Sequence, residues 1–117
     1  MKTLFTLFVL FFLSPVFASK VLFYSEYKKN TNSEIFIQHL KSVESGMSWM
    51  QVYNKQIGNN FVYCKPGKLN VSSDNLKDAL DLYVETLKKQ NYTSADIDKY
   101  PIEVLMLYGL IILFPCD

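Results

Sequence analysis

Two cysteines, Cys64 and Cys116, are the only ones in the chain, and both follow a segment that reads as an export signal. No other feature constrains the fold as much. In an oxidising compartment two such thiols pair, and the pairing ties the C-terminal tail back to mid-chain. Closing a loop of about fifty residues is worth roughly 4 kcal/mol in the chain-entropy treatment, a large share of a small domain's stability. The cysteines stand in Phe61-Val62-Tyr63-Cys64-Lys65-Pro66 and Phe114-Pro115-Cys116, with no Cys-x-x-Cys, and His39 is the single histidine. A catalytic thiol, a dithiol motif or a zinc site is therefore disfavoured.

Met1 to Ala18 has the parts of a secretory signal: Lys2 at the start, an apolar run from Leu4 to Leu13, and Val16-Phe17-Ala18 at the junction. Cleavage is expected after Ala18. The run is too short to cross about 30 Å of hydrocarbon and Pro15 breaks it, so no stable membrane insertion is expected after cleavage. Residues 19–117 then form a single domain. The chain has twelve basic residues, all lysine, against eleven acids. Removing Lys2 with the leader brings the two signs level. A neutral chain without guanidinium groups argues against a nucleic-acid partner.

Helical spacing dominates the remainder. A short first helix is expected over Lys20 to Lys28, ending at Asn30-Thr31-Asn32. A second begins near Ser33 and stops at Gly58-Asn59-Asn60. Its apolar residues Ile35, Phe36, Leu40, Val43, Met47, Met50, Tyr53 and Ile57 are expected to share one face, with Gly46 inside it allowing close approach of a neighbouring helix. The third helix has the clearest start: Ser72 as N-cap, Val71 and Leu76 as a hydrophobic staple, and Asp74 facing the helix dipole. Its stripe is Leu76, Ala79, Leu80, Tyr83, Val84 and Leu87, opposite Asp74, Asp78, Asp81 and Glu85. A last helix starts around Asp98 to Pro101 and is apolar almost all round from Val104 to Phe114, which predicts a central helix wrapped by the others. No segment shows sustained period-two alternation. The expectation is an all-α, compact, bundle-like domain of about four helices stapled by one disulfide.

The aromatic-x-x-Cys-x-Pro entry, the capped amphipathic helix, the short linker to a second helix and the terminal Phe-Pro-Cys resemble the Tai-type immunity proteins. Those proteins protect bacteria from peptidoglycan amidase toxins delivered by type VI secretion. The resemblance covers Phe61 to Cys116, and Gly46 looks like the family's helix glycine. It implies a periplasmic, helical, often dimeric protein that binds a cognate cysteine amidase and blocks its cleft, with Cys64 paired to Cys116. One departure stands out. Many relatives join the N-terminal helix to the next through a second cysteine pair; the corresponding places here hold residues such as Tyr27 and Leu40.

The residues themselves favour binding over catalysis. His39 sits on the apolar side of the second helix, where a satisfied core or boundary histidine is the simpler reading. A Cys-His nucleophile needs a free thiol, and both thiols are committed. Asp78, Asp81 and Glu85 read as a solvated helix face rather than an acid–base pair or metal site. Leu82 borders that face and marks it as a candidate contact surface. Ile37, Trp49 and Val52 interrupt the polar side of the second helix and are candidates for a homodimer seam. Two loops suit an inhibitor: Asn59 to Val71, tethered at Cys64, and Asn91 to Tyr100. Tyr63 is expected to be buried beside the disulfide, so Tyr92, Asp96, Asp98 and Tyr100 of the second loop become the principal partner-binding candidates, with Asp78, Leu82 and Glu85 as a secondary surface. The sequons at Asn70 and Asn91 matter only in a eukaryotic secretory setting. No enzyme activity and no cofactor are implied. The alternative function is a small secreted carrier holding an apolar ligand among its helices.

Overall fold

The computed structural model describes residues 21–66 and 71–117, so the leader, its cleavage point, Lys20 and Asn70 lie outside the described residues. The described chain is all-α: α1 (Tyr24–Tyr27), α2 (Glu34–Gln56), α3 (Ser73–Lys89), α4 (Ser94–Asp98) and α5 (Ile102–Leu113). An isolated antiparallel bridge between Phe23 and Pro101 is the sole β-type pairing among those residues.

Local chemistry sets each boundary. Ser33 precedes α2 in an extended conformation. The far end of α2 closes where Gly58 adopts φ +88°. There the Asn59 N–H donates to the Asn54 carbonyl and the Gly58 N–H to that of Lys55, the Schellman pattern. The start of α3 is the expected one. Asn75 N–H donates to Ser72 Oγ while Ser72 N–H donates back to Asn75 Oδ1, at 3.3 and 3.0 Å. That reciprocal capping box satisfies two N-terminal donors. At the other end Asn91 takes φ 69°, and the N–H groups of Asn91 and Tyr92 donate to Lys88 and Leu87 carbonyls. Asparagine tolerates the left-handed conformation that most side chains avoid.

Helices α3 and α5 form the centre and share the most extensive contact in the fold. Leu76, Ala79, Leu80, Val84 and Leu87 of α3 meet Ile102, Leu105, Met106 and Leu110 of α5, all at most 2 % exposed. This contact is what Gly109 makes possible, because a Cβ there would run into the Ala79 backbone carbonyl. Helix α2 lies across the pair and contributes Phe36 and Leu40, with Val43 and Met47 partly buried against the core. The N-terminal segment is held without a second disulfide. Tyr24 N–H donates to the Tyr100 carbonyl and Ile102 N–H to that of Leu22, both at 2.9 Å. Tyr27, 1 % exposed, meets Phe36 edge-on at 5.8 Å.

Several expectations are corrected. The first helix is a single turn rather than Lys20 to Lys28. Ile35, Met50, Tyr53 and Ile57 do not share the core face of α2; each is more than half exposed. The rest of the chain is too short to cover both sides of so wide an apolar surface. Gly46 has no described atom within 4 Å of the place a Cβ would take, so it admits no neighbouring helix within the monomer; Gly109 does that instead. Helix α5 is not wrapped all round, because Tyr108, Ile112 and Leu113 are 38 to 47 % exposed. The five-residue α4 had been read as linker and helix start; Thr93 caps it.

Candidate partner-binding surface

The disulfide joins Cys64 to Cys116 with their Cα atoms 5.0 Å apart. It is one of several ties on the segment Phe61–Lys65. Cys64 N–H donates to the Phe114 carbonyl at 2.8 Å, so backbone pairing runs beside the sulfur bridge. From the other side α2 reaches out with Gln51, 7 % exposed, whose Oε1 accepts both the Val62 and Tyr63 N–H groups at 2.7 and 3.0 Å. A buried amide that satisfies two backbone donors replaces the water those donors would otherwise need.

One turn back on α2, Glu44 gathers three donors. Its Oε1 accepts from Ser48 Oγ at 2.7 Å, from Lys65 Nζ at 3.0 Å and from the Tyr63 hydroxyl at 3.3 Å. Lys65 Nζ also donates to Ser48 Oγ at 2.9 Å. Tyr63 is 1 % exposed, buried as its position beside the disulfide suggests. Burial is the largest cause that pushes its hydroxyl above the ordinary value; Glu44 adds to the rise and the Ser48 hydrogen bond opposes it. The segment is thus fixed by a covalent bond, a buried aromatic ring and two polar clamps. Phe61 and Val62 remain 38 and 50 % exposed at its edge. Gln51, Glu44 and Lys65 escaped the sequence reading. The signal available for Gln51 was a polar residue four positions after Met47 on the stripe of Leu40 and Val43.

The second loop is organised differently. Asp96 serves as the reciprocal half of a capping box: its N–H donates to Thr93 Oγ1 and its Oδ2 accepts from Thr93 N–H, each at 3.2 Å. The Thr93 hydrogen bonds hold the Asp96 carboxyl below the ordinary value. Asp98 pairs with Lys28 Nζ at 2.8 Å and so fastens α1 to α4. Tyr100 is partly buried against the core, and Tyr92 is 42 % exposed. The structure therefore gives Asp96 and Asp98 roles inside the fold and leaves Tyr92 the open side chain of that group. On α3, Asp78 and Glu85 are exposed while Leu82 is half-buried; Glu85 meets Lys88 at 3.4 Å. Asp81 lies between them, raised by burial first and by its neighbours Asp78 and Glu85 next.

The candidate seam residues do not form one face. Trp49 is 74 % exposed and continues into Met50, Tyr53 and Ile57, whereas Val52 borders the pocket beside Ser48, Phe61 and Lys65 and Ile37 is half-buried. His39 is a boundary residue, its Nε2 3.3 Å from Glu103 Oε2. Among the described residues no three His, Cys, Asp or Glu side chains are placed to hold a metal ion. No described helix is long and apolar enough to cross a membrane. A groove of about 450 Å³ opens on the flank of α2, lined by Val43, Gly46, Met47, Met50, Val62 and Leu107 among others.

Comparison with known protein families, curated proteins and solved structures finds no match for this chain.

Proposed function

We propose that this chain is a periplasmic immunity protein that binds a peptidoglycan amidase effector and occludes its active-site cleft, with no chemistry of its own. The supporting observation is the fixed segment Phe61–Lys65. Binding costs ordering entropy, and a segment already pinned by the disulfide, Gln51 and Glu44 has little left to lose. Phe61 is an apolar side chain at the edge of that rigid segment, the kind of anchor that carries a disproportionate share of interface energy. This reading moves the contact from Asp96 and Asp98, which are engaged within the fold, to the loop at Cys64; Tyr92 and the Asp78–Leu82–Glu85 face form a secondary surface. The resemblance around Cys64 and Cys116 supports the choice of effector class.

The test is purification of the exported chain, residues 19–117, with the product of any neighbouring amidase gene. Binding and cell-wall hydrolysis are then measured. Inhibition abolished by Phe61→Asp and retained by Tyr92→Asp supports the loop assignment. The reverse pattern moves the contact to the second loop. Full hydrolysis at saturating excess rejects the immunity reading for that pair.

One observation favours a second reading. The apolar groove on α2 has the volume of a small-ligand site. A carrier would be recovered from cells with an apolar molecule that organic extraction and mass spectrometry identify.

A further inference from the structure

The long helix α2 carries two apolar stripes, and the monomer uses one of them. Phe36, Leu40, Val43 and Met47 pack toward α3 and α5. Gly46, Trp49, Met50, Tyr53 and Ile57 follow beside them at spacings of three, four and seven residues, the repeat of a helix face. The four side chains of this second stripe are 55 to 74 % exposed. The groove described above runs between the stripes, with Val62 and Leu107 forming its opposite wall.

Gly46 carries the argument. Glycine inside a helix loses more conformational freedom than any other residue, so it needs a compensating use. Close approach of another backbone is such a use, yet a Cβ at Gly46 would meet nothing within 4 Å. Three residues on, and on the same stripe, stands the most exposed large side chain of the helix, Trp49. Knob and notch therefore sit side by side on one element. A twofold axis brings each knob to the other notch at the same time, which is the condition for a self-complementary contact.

We propose that a second copy of this chain covers this face, with α2 crossing its symmetry mate near Gly46 and each Trp49 seated in the other copy's groove. The groove is lined by apolar residues together with Gln51 and Asn54, so two identical faces meet there without opposing like charges. Trp49, Met50, Tyr53, Ile57 and Val62, each half exposed or more, present on the order of 500 Å² of side-chain surface. With the groove walls this approaches the roughly 800 Å² per partner of a standard interface. The inference stands apart from the effector reading and survives its failure.

Trp49 is the only tryptophan, so its emission reports on its own seat. Sedimentation of residues 19–117 is expected to give a dimer mass as concentration rises, with Trp49 emission shifting to the blue over the same range. Trp49→Ala and Gly46→Val are each expected to weaken the dimer by about tenfold or more, as truncating or filling a central contact does, with an unchanged circular dichroism spectrum. Gly46→Ala separates this from a folding effect: it should raise the melting temperature of the dilute monomer and still weaken the dimer. A monomer at millimolar concentration overturns the proposal, as does a dimer left intact by Gly46→Val and Trp49→Ala. Emission that shifts only when an amidase is added, or only with a bound apolar molecule, assigns the face to that occupant and overturns it too.

Discussion

Gly109 on α5 lies directly against Ala79 on α3, so close that a Cβ at Gly109 would overlap the Ala79 carbonyl and stand 2.9 Å from its Cα. The two central helices meet there backbone to backbone. Packing at that distance brings Leu76, Leu80 and Val84 into full contact with Leu105, Met106 and Leu110. Gly109→Ala forces the helices apart, and overpacking of this kind costs about 1–3 kcal/mol. That exceeds the roughly 1 kcal/mol alanine gains as a helix former. The urea midpoint is expected to fall; a variant as stable as the parent would show that α3 and α5 do not touch at this point.

The disulfide gives a second expectation. Intact exported protein should weigh two hydrogens less than the dithiol. Cys116→Ala should lose roughly 2–5 kcal/mol in denaturant titration. Two alkylatable thiols in protein recovered from the periplasm would contradict the bridge seen between Cys64 and Cys116.

Gln51 offers a finer test, because its Oε1 alone accepts the Val62 and Tyr63 amides. Gln51→Leu leaves both donors unsatisfied at a cost of about 1–3 kcal/mol. Hydrogen exchange at those two amides should accelerate more than at the α3 core. Gln51→Glu keeps an acceptor oxygen and should restore much of their protection. Equal exchange in parent and Gln51→Leu would remove Gln51 from its role.

Two aspartates should move stability in opposite directions with pH. Asp81 is raised above the ordinary 3.8, by burial first and Asp78 next, so the fold binds its proton more tightly than the unfolded chain does. Its contribution is favourable below 3.8 and is lost as pH rises through the folded value. Asp81→Asn is therefore expected to raise the melting temperature at neutral pH, the gain fading on acidification. Asp96 is lowered by Thr93, so its contribution is present above 3.8 and is lost as pH falls through the folded value. Asp96→Ala should be less stable than the parent at neutral pH, and that gap should narrow in acid. Parallel melting curves against pH, parent beside each variant, decide both.

What could be read from the sequence was whatever short-range chemistry decides. The Ser72 cap, the stripe from Leu76 to Leu87, the stop at Gly58 and the burial of Tyr63 all rest on neighbours a few residues away. The face of α2 was read too broadly. Periodicity says which residues lie on one side of a helix; it does not say how much of that side a short chain can reach to cover. Thus Phe36 and Leu40 are buried while Ile35 and Tyr53, equally apolar in the pattern, are not. The same limit explains the two glycines. Both lie inside helices, and only the path of α3 reveals that Gly109, not Gly46, has a backbone against it. Thr93 and Asp96 already carried the capping signature of α4, hidden by assigning Asp98 to Pro101 to the start of the next helix. Of the candidate surface, the cysteine pairing was legible; the clamps by Gln51 and Glu44 depend on α2 passing within reach of the loop, a tertiary fact.

The sulfur bridge also decides what happens when the chain is cut. Cys64 and Cys116 enclose α3, α4 and α5 in one covalent ring, while α1 and α2 lie outside it. The exposed turn at Asn91 and Tyr92 falls inside that ring, and exposed turns are where proteases nick first. A single cleavage there opens the ring without parting the molecule: the piece ending at the cut and the piece beginning after it stay joined through sulfur. They also remain packed along the α3–α5 contact. Surviving such a cut as one particle is an asset for a protein that works among extracytoplasmic proteases.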